Sequence, residues 1–203
     1  PDGTVLHSMA GWQGKYLGTK IYTTNVNHGA WFWFHLYEQE TGRPLALMEA
    51  NHLGQIRTGA ASGLATDILA NPAARSLAII GSGFQAQAQL DAMRVVRPGL
   101  EDIRVWSRSA EKRESFAAKN HIRACSTAEE AVCGAEIICT ATFAKDPVLQ
   151  QDWVSPGAHI NTMGSNNPGR RELPAELVER ADLIVVDSLE ACRIEAGDLL
   201  MDP

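Results

Sequence analysis

Between Leu77 and Met93 the chain reads LAIIGSGFQAQAQLDAM. Four apolar residues run into Gly81-Ser82-Gly83-Phe84-Gln85-Ala86, a G-x-G-x-x-A turn, and a helix-like stretch follows. Gly81 permits the tight turn, Gly83 lets backbone approach a pyrophosphate, and Ala86 keeps helix and strand close. The N–H groups of the helix's first turn, around Phe84 and Gln85, would face the phosphates, aided by the helix dipole. The plainer alternative is a strand-to-helix turn with incidental glycines. The position of the motif, closing one predicted strand and opening a predicted helix, favours dinucleotide binding.

The second strand says which dinucleotide. An acidic residue about 20 positions on would hold a free ribose diol. Glu101 and Asp102 stand at that distance, but both precede the strand and lie at its wrong end. At the right end stand Ser107, Arg108 and Ser109. A cation flanked by two hydroxyls suits a 2′-phosphate. The expectation is therefore a preference for NADP(H), with NAD(H) possible and Arg113 as a second cation; the alternative is Arg108 as an ordinary solvated charge.

Three more polar residues could hold a substrate. Lys20 sits in the β-type stretch Gly18-Thr19-Lys20-Ile21-Tyr22, and Arg57 and Thr58 open a small-residue helix. An Arg grips a carboxylate with two parallel hydrogen bonds, and a Lys adds a point charge. Together they would anchor a small anionic substrate such as an amino or keto acid; on composition alone they read as surface cations.

These groups need a scaffold, and two patterns supply it. Residues 1–56 read as β-rich, with strands in LGTKIYTTNV and AWFWFHLYEQ and a hairpin turning at Thr41-Gly42. Aromatics at Trp31, Phe32, Trp33 and Phe34 fall on both faces, which suits a sheet buried on both sides at a subunit interface. A helix follows over 57–71, with Ala60, Ala61, Leu64, Ala65, Ile68 and Leu69 at helical spacing, and Asn71-Pro72 stops it. From Ser76 onward, strands alternate with helices. Six are expected, at 76–81, 102–107, 121–126, 135–142, 158–164 and 181–187. That grammar predicts an α/β fold, a Rossmann-type doubly wound parallel sheet, beside a β-rich domain for substrate binding and dimerisation. The domains are expected at 1–72 and 73–203.

Composition narrows the rest. The formal charge of −6 argues against a nucleic-acid partner. No apolar run approaches the roughly 18 residues of a membrane helix, and the first residues lack a signal-peptide pattern. The four cysteines form no C-x-x-C pair and the six histidines no cluster of metal-ligand spacing. They read as reduced, mostly buried thiols of a cytoplasmic protein without a metal site.

The stretch GQIRTGAASGLATDILANPAARSLAIIGSGFQAQAQLDAM, flanked by ETGRPLALMEA and VWSRS, resembles the ornithine cyclodeaminase/μ-crystallin family. PGAHINTMGSNNPGRREL and ADLIVVDSLEACRIEAGDL continue the resemblance over essentially the whole chain. It implies a homodimeric enzyme acting on a small amino acid or its cyclic imine. It also implies further residues before these 203 and after EAGDL; a substrate-binding Arg of the family's N-terminal segment has no counterpart here.

By the resemblance, Lys20 is the substrate lysine, Arg57 the carboxylate-binding arginine, and Thr58 a cofactor contact. Gly83, Phe84 and Gln85 match the pyrophosphate loop, and Ser107, Arg108 and Ser109 the NADPH-binding triplet. Thr140, Ala141 and Thr142 match a loop beside the ribose; Met163, Gly164 and Ser165 match the segment beside the nicotinamide. Asp187 is a carboxylate in a shared motif, with capping of the next helix as its alternative role. One departure bears on the reaction. Family cyclodeaminases and archaeal alanine dehydrogenases carry Asp where this chain has Asn166, and an amide cannot exchange a proton near neutral pH. Ketimine reductases of the family also lack that Asp. The expected reaction is thus reduction of a cyclic imine, ahead of ornithine cyclodeamination or amino-acid dehydrogenation. The rival of another class is a non-catalytic, crystallin-like NADPH-binding protein.

Overall fold

The computed structural model describes residues 3–25 and 27–200. The chain divides into two compact units, Pro1–Arg57 and Thr58–Pro203.

The first unit is an antiparallel meander of β1 (Val5–Gln13), β2 (Tyr16–Asn25), β3 (Gly29–Glu38) and β4 (Pro44–Glu49), in that order across the sheet. The expected hairpin is present: Gly42 takes φ +69° in the turn between β3 and β4. The first expected strand, LGTKIYTTNV, ends at Asn25, and its last expected residue, Val26, lies outside the described residues. β1 carried no signal of its own, because Ser8, Ala10 and Gly11 are weak strand formers.

Registry sorts the aromatics as alternation requires. Leu6, Thr23 and Trp31 align across one face, as do Trp12, Leu17 and Tyr37; Trp33 and Ile21 lie between them. The opposite face carries His7, Tyr22 and Phe32 in one row and Met9, Lys20 and Phe34 in the next. Trp12, Trp31 and Trp33 are 76%, 63% and 47% exposed, so the first face is an apolar surface open to solvent in the single chain.

Helix α1 (Asn51–Leu69) begins earlier than the predicted Arg57. His52 and Gly54 are poor helix formers, which hid its first turn. Its buried side also differs from the expected stripe: Leu64 and Ile68 are exposed, while Gly59, Gly63, Thr66 and Ala70 are buried. Small size decided the face. A Cβ on Gly59 would lie 2.4 Å from the Ala88 carbonyl oxygen, and one on Gly63 would lie 3.3 Å from Ala92 Cβ.

The second unit alternates as expected: β5 (Ser76–Ile80), α2 (Phe84–Val96), β6 (Asp102–Trp106), α3 (Ala110–Asn120), β7 (Arg123–Ala124), α4 (Ala128–Val132), β8 (Ile137–Thr140) and β9 (His159–Thr162). Short helices α5 (Ala175–Glu179), α6 (Leu189–Glu195) and α7 (Gly197–Leu200) follow. The strands form one parallel sheet of order β7-β6-β5-β8-β9. Alternate residues of β5 feed two cores, Leu77 and Ile79 on one side, Ala78 and Ile80 on the other. This is the Rossmann arrangement, with its topological switch between β5 and β8.

The expected sixth strand, 181–187, is not one. It joins no ladder among the described residues, and Leu183, Ile184 and Val185 are exposed. An apolar run states a preference, but by itself it does not bring the segment alongside the open edge of β9. The thiols also depart from expectation. All four cysteines are free, yet only Cys125 and Cys139 are buried; Cys133 is exposed and Cys192 intermediate. No helix among the described residues is long and apolar enough to cross a membrane.

Candidate active site

The loops after β5, β6, β8 and β9 leave the carboxyl ends of the parallel strands, where doubly wound sheets bind ligands. After β5, Gly81 takes φ +121°, and a Cβ there would lie 2.4 Å from the Ala141 carbonyl oxygen. Both facts require glycine at this crossing of two loops. Gly83 is the N-cap of α2, makes no side-chain cap bond, and has nothing within 4 Å of where a Cβ would stand. The first turn of α2 contains no acidic residue. Open space before an uncapped helix N-terminus is what a pyrophosphate needs. Gln85 Oε1, one residue into that turn, is buried with no hydrogen-bond partner.

Next to it, the Ser82 hydroxyl donates to Ser107 Oγ at 2.8 Å, tying the loops after β5 and β6 together. Ser109 caps α3 by accepting from the Lys112 backbone N–H. Arg108 is exposed and makes no ion pair among the described residues. Arg113 donates from Nη1 to the Ser107 carbonyl at 3.1 Å, and its Nε pairs with Glu114 at 3.7 Å. At the other end of β6, Glu101 pairs with Arg75 at 2.7 Å and Asp102 with Arg104. The Arg104 hydrogen bond holds the Asp102 carboxyl below its ordinary pKa. Both acids are committed away from the glycine turn. The unpartnered Gln85 oxygen, the open glycine and the exposed Arg108 fit a dinucleotide.

The loops after β8 and β9 meet on Glu172, a residue that drew no notice in the sequence. It is fully buried and accepts hydrogen bonds from Thr140, Thr142 and Gly164. Thr140 is itself fully buried, so its side chain serves the loop rather than a ligand. Thr142 and Met163 are partly exposed, Ser165 buried, and Asn166 exposed. Asp187 is exposed, and the capping role open to it is taken by Ser188, whose hydroxyl accepts from the Ala191 N–H.

Lys20 and Arg57 belong to the antiparallel unit. Across β1, β2 and β3 the rings of His7, Tyr22 and Phe32 stack with centroids 4.3 and 4.7 Å apart. Lys20 Nζ stands 5.0 Å from the Tyr22 ring and 5.9 Å from Phe32. Phe34, opposite Lys20, lies over Gly18, where a Cβ would come within 2.4 Å of its ring. The stack was not foreseen, since it depends on register across three strands. Burial, and secondarily the positive charge of Arg57, hold the Lys20 ammonium below the ordinary lysine pKa. A lysine so perturbed parts with a proton more readily and gains more from a carboxylate partner.

The parallel sheet with its glycine turn defines a Rossmann-type fold, and the chain adds an antiparallel sheet to it. The family model for "Ornithine cyclodeaminase/mu-crystallin family" matches residues 4–202. A curated relative, ketimine reductase mu-crystallin of Mus musculus, is 39% identical over 168 residues, covering 82% of this chain and 53% of its own. An archaeal alanine dehydrogenase dimer with bound NAD superposes with TM-score 0.88 at 32% identity, over 95% of this chain and 62% of that one. A Δ1-pyrroline-2-carboxylate reductase of Thermococcus litoralis, in complex with NADH and L-proline, gives 0.83 at 30%, over 97% and 69%. The chain belongs to the ornithine cyclodeaminase/mu-crystallin family. It spans about half the length of the curated relatives it matches.

Proposed function

We propose that this protein is an NAD(P)H-dependent reductase of the cyclic imine of a small amino acid, with NADP(H) as the preferred cofactor. The observation that carries the reading is Lys20, an ammonium held below its ordinary pKa over an aromatic stack with Arg57 for company. The names of the mouse ketimine reductase and of the archaeal reductase bound to L-proline support the same substrate class.

A bound reduced nicotinamide supplies a hydride. This chain's own residues do the rest. Gly81, Gly83, Phe84 and Gln85 would hold the pyrophosphate, Ser107, Arg108 and Ser109 the 2′-phosphate, and Thr58, the loop Thr140–Thr142 and Met163–Ser165 the remainder. Arg57 and Lys20 take the substrate carboxylate, and Lys20 gives a proton to the imine nitrogen as its carbon accepts the hydride. With the hydride that a bound nicotinamide would supply, the C=N π bond would become an N–H and a C–H bond. Most of the rate comes from positioning. Asn166 and Asp187 carry no proton in this scheme. The antiparallel unit takes substrate and forms a homodimer, and the free thiols suit a reducing compartment, the cytoplasm.

The test is loss of NADPH absorbance with Δ1-piperideine-2-carboxylate or Δ1-pyrroline-2-carboxylate. Ammonia and proline formed from L-ornithine would establish cyclodeamination instead. Tight NADPH binding with no turnover of either imine would make this a crystallin-like binding protein. For the cofactor, Arg108→Ala weakens NADPH far more than NADH; equal losses, or tighter NADH binding by the unaltered protein, overturn the preference.

A further inference from the structure

The ladder between β8 and β9 ends at Thr140 and Thr162. Beyond that pair the two strand ends are joined through a carboxylate. Glu172 Oε1 accepts the Thr142 backbone N–H at 2.7 Å and the Thr142 hydroxyl at 2.6 Å. Its Oε2 accepts the Gly164 N–H at 2.7 Å and the Thr140 hydroxyl at 2.8 Å, with the Thr162 oxygen 3.3 Å away. A Cβ on Gly164 would lie 2.2 Å from the Thr142 carbonyl oxygen and 2.6 Å from Glu172 Cδ, so only glycine lets the loops close on this group.

Glu172 is itself held. Asp198, almost fully buried in the EAGDL motif, accepts the Glu172 N–H at 2.6 Å and the Leu173 N–H at 2.9 Å through Oδ1. Its other oxygen accepts the hydroxyls of Thr162 and Ser165. The far end of the chain thus fixes a carboxylate that fixes both loops.

We propose that Glu172 is a positioning residue for the nicotinamide half of the cofactor, an inference that rests on the dinucleotide reading above. The glycine turn after β5 and the Arg108 loop after β6 lie on one side of the topological switch; the loops Glu172 joins lie on the other. A dinucleotide spans that switch. With its phosphates and adenosine assigned to the first side, the nicotinamide falls to the second. Each oxygen of Glu172 accepts a backbone N–H. An isosteric glutamine must therefore turn its own NH2 against the N–H of either Thr142 or Gly164, whichever way it lies. A buried donor left facing a donor is costly enough to spread the loops.

The test uses the full chain and two probes, NADPH and its ring-less counterpart cut back to the pyrophosphate, 2′-phospho-ADP, which lacks the whole nicotinamide riboside. In Glu172→Gln, affinity for NADPH falls about tenfold or more, while affinity for the ring-less probe changes less than about twofold. Thr140→Val removes one hydroxyl from the same carboxylate on a side chain that is itself buried, and keeps the β-branched shape. It lowers NADPH affinity about threefold, again sparing the ring-less probe, and decides the matter if Glu172→Gln does not fold. Equal losses on both probes, or none, overturn the positioning role. If the unaltered protein binds neither probe, the dinucleotide reading falls and this inference with it.

Discussion

Gly59 and Gly63 make a matched pair of perturbations. At Gly59 a Cβ would stand 2.4 Å from the oxygen and 2.8 Å from the carbon of the Ala88 carbonyl, backbone atoms of α2 that cannot swing aside. At Gly63, one turn on, the nearest atom is Ala92 Cβ at 3.3 Å. Both Gly→Ala changes gain about 1 kcal/mol of helix propensity. Overpacking costs about 1–3 kcal/mol, and a collision with backbone puts Gly59→Ala near the top of that range, about 2 kcal/mol destabilising in net. Gly63→Ala asks for a few tenths of an ångström, about 1 kcal/mol, and nets to about zero. In a chain of 203 residues the difference corresponds to a fall in Tm of about 4–8 °C for Gly59→Ala alone. Far-UV circular dichroism melts of the two variants, run side by side, measure it. Equal Tm values would mean that α1 and α2 slide apart freely and that close packing does not set the aim of the glycine turn.

Arg97, 6% exposed, donates to the Thr66, Ala70 and Asn71 carbonyls and to Asp67, closing the C-terminal end of α1; Arg97→Ala should cost about 3 kcal/mol in urea titrations. Folding lowers the pKa of Lys20 through burial and Arg57, so its charged form opposes folding. That penalty is full below the lowered value and gone above 10.5, so Lys20→Met raises Tm near pH 7, and the gain shrinks as pH climbs toward 10.5. Burial pushes the Cys139 thiol up to about 12. Iodoacetamide should label exposed Cys133 in the folded protein and reach Cys139 only after denaturation, as peptide mapping will show.

What the sequence disclosed follows from the range of the interactions involved. The glycine turn was legible because a tight turn, a close approach and an uncapped helix start each demand a residue type within six positions. That Glu101 and Asp102 stand at the end of β6 away from the glycine turn was also legible, since it needed only the direction of one strand. Glu172 and Asp198 were not. In RREL and EAGDL they look like solvated charges, and their donors lie between residues 140 and 173, brought near only by the fold. Arg97 was hidden likewise, because the carbonyls it satisfies belong to another helix. The segment 181–187 misled in the opposite sense: its composition states a strand and says nothing about a partner. In α1 the apolar spacing was read correctly, but the side that turned inward was chosen by the residues that take up least room.

The open face of the antiparallel sheet makes the protein its own optical gauge. Trp12, Trp31 and Trp33, three of the five tryptophans, share that face and stand in water, while Trp106 and Trp153 pack against the core of the parallel sheet. Intrinsic ultraviolet emission from a lone protomer is therefore dominated by hydrated indoles. Covering the face with a second copy dries all three together and moves the emission toward the blue. A dilution series read at the emission maximum therefore tests the proposed homodimer without any dye or tag.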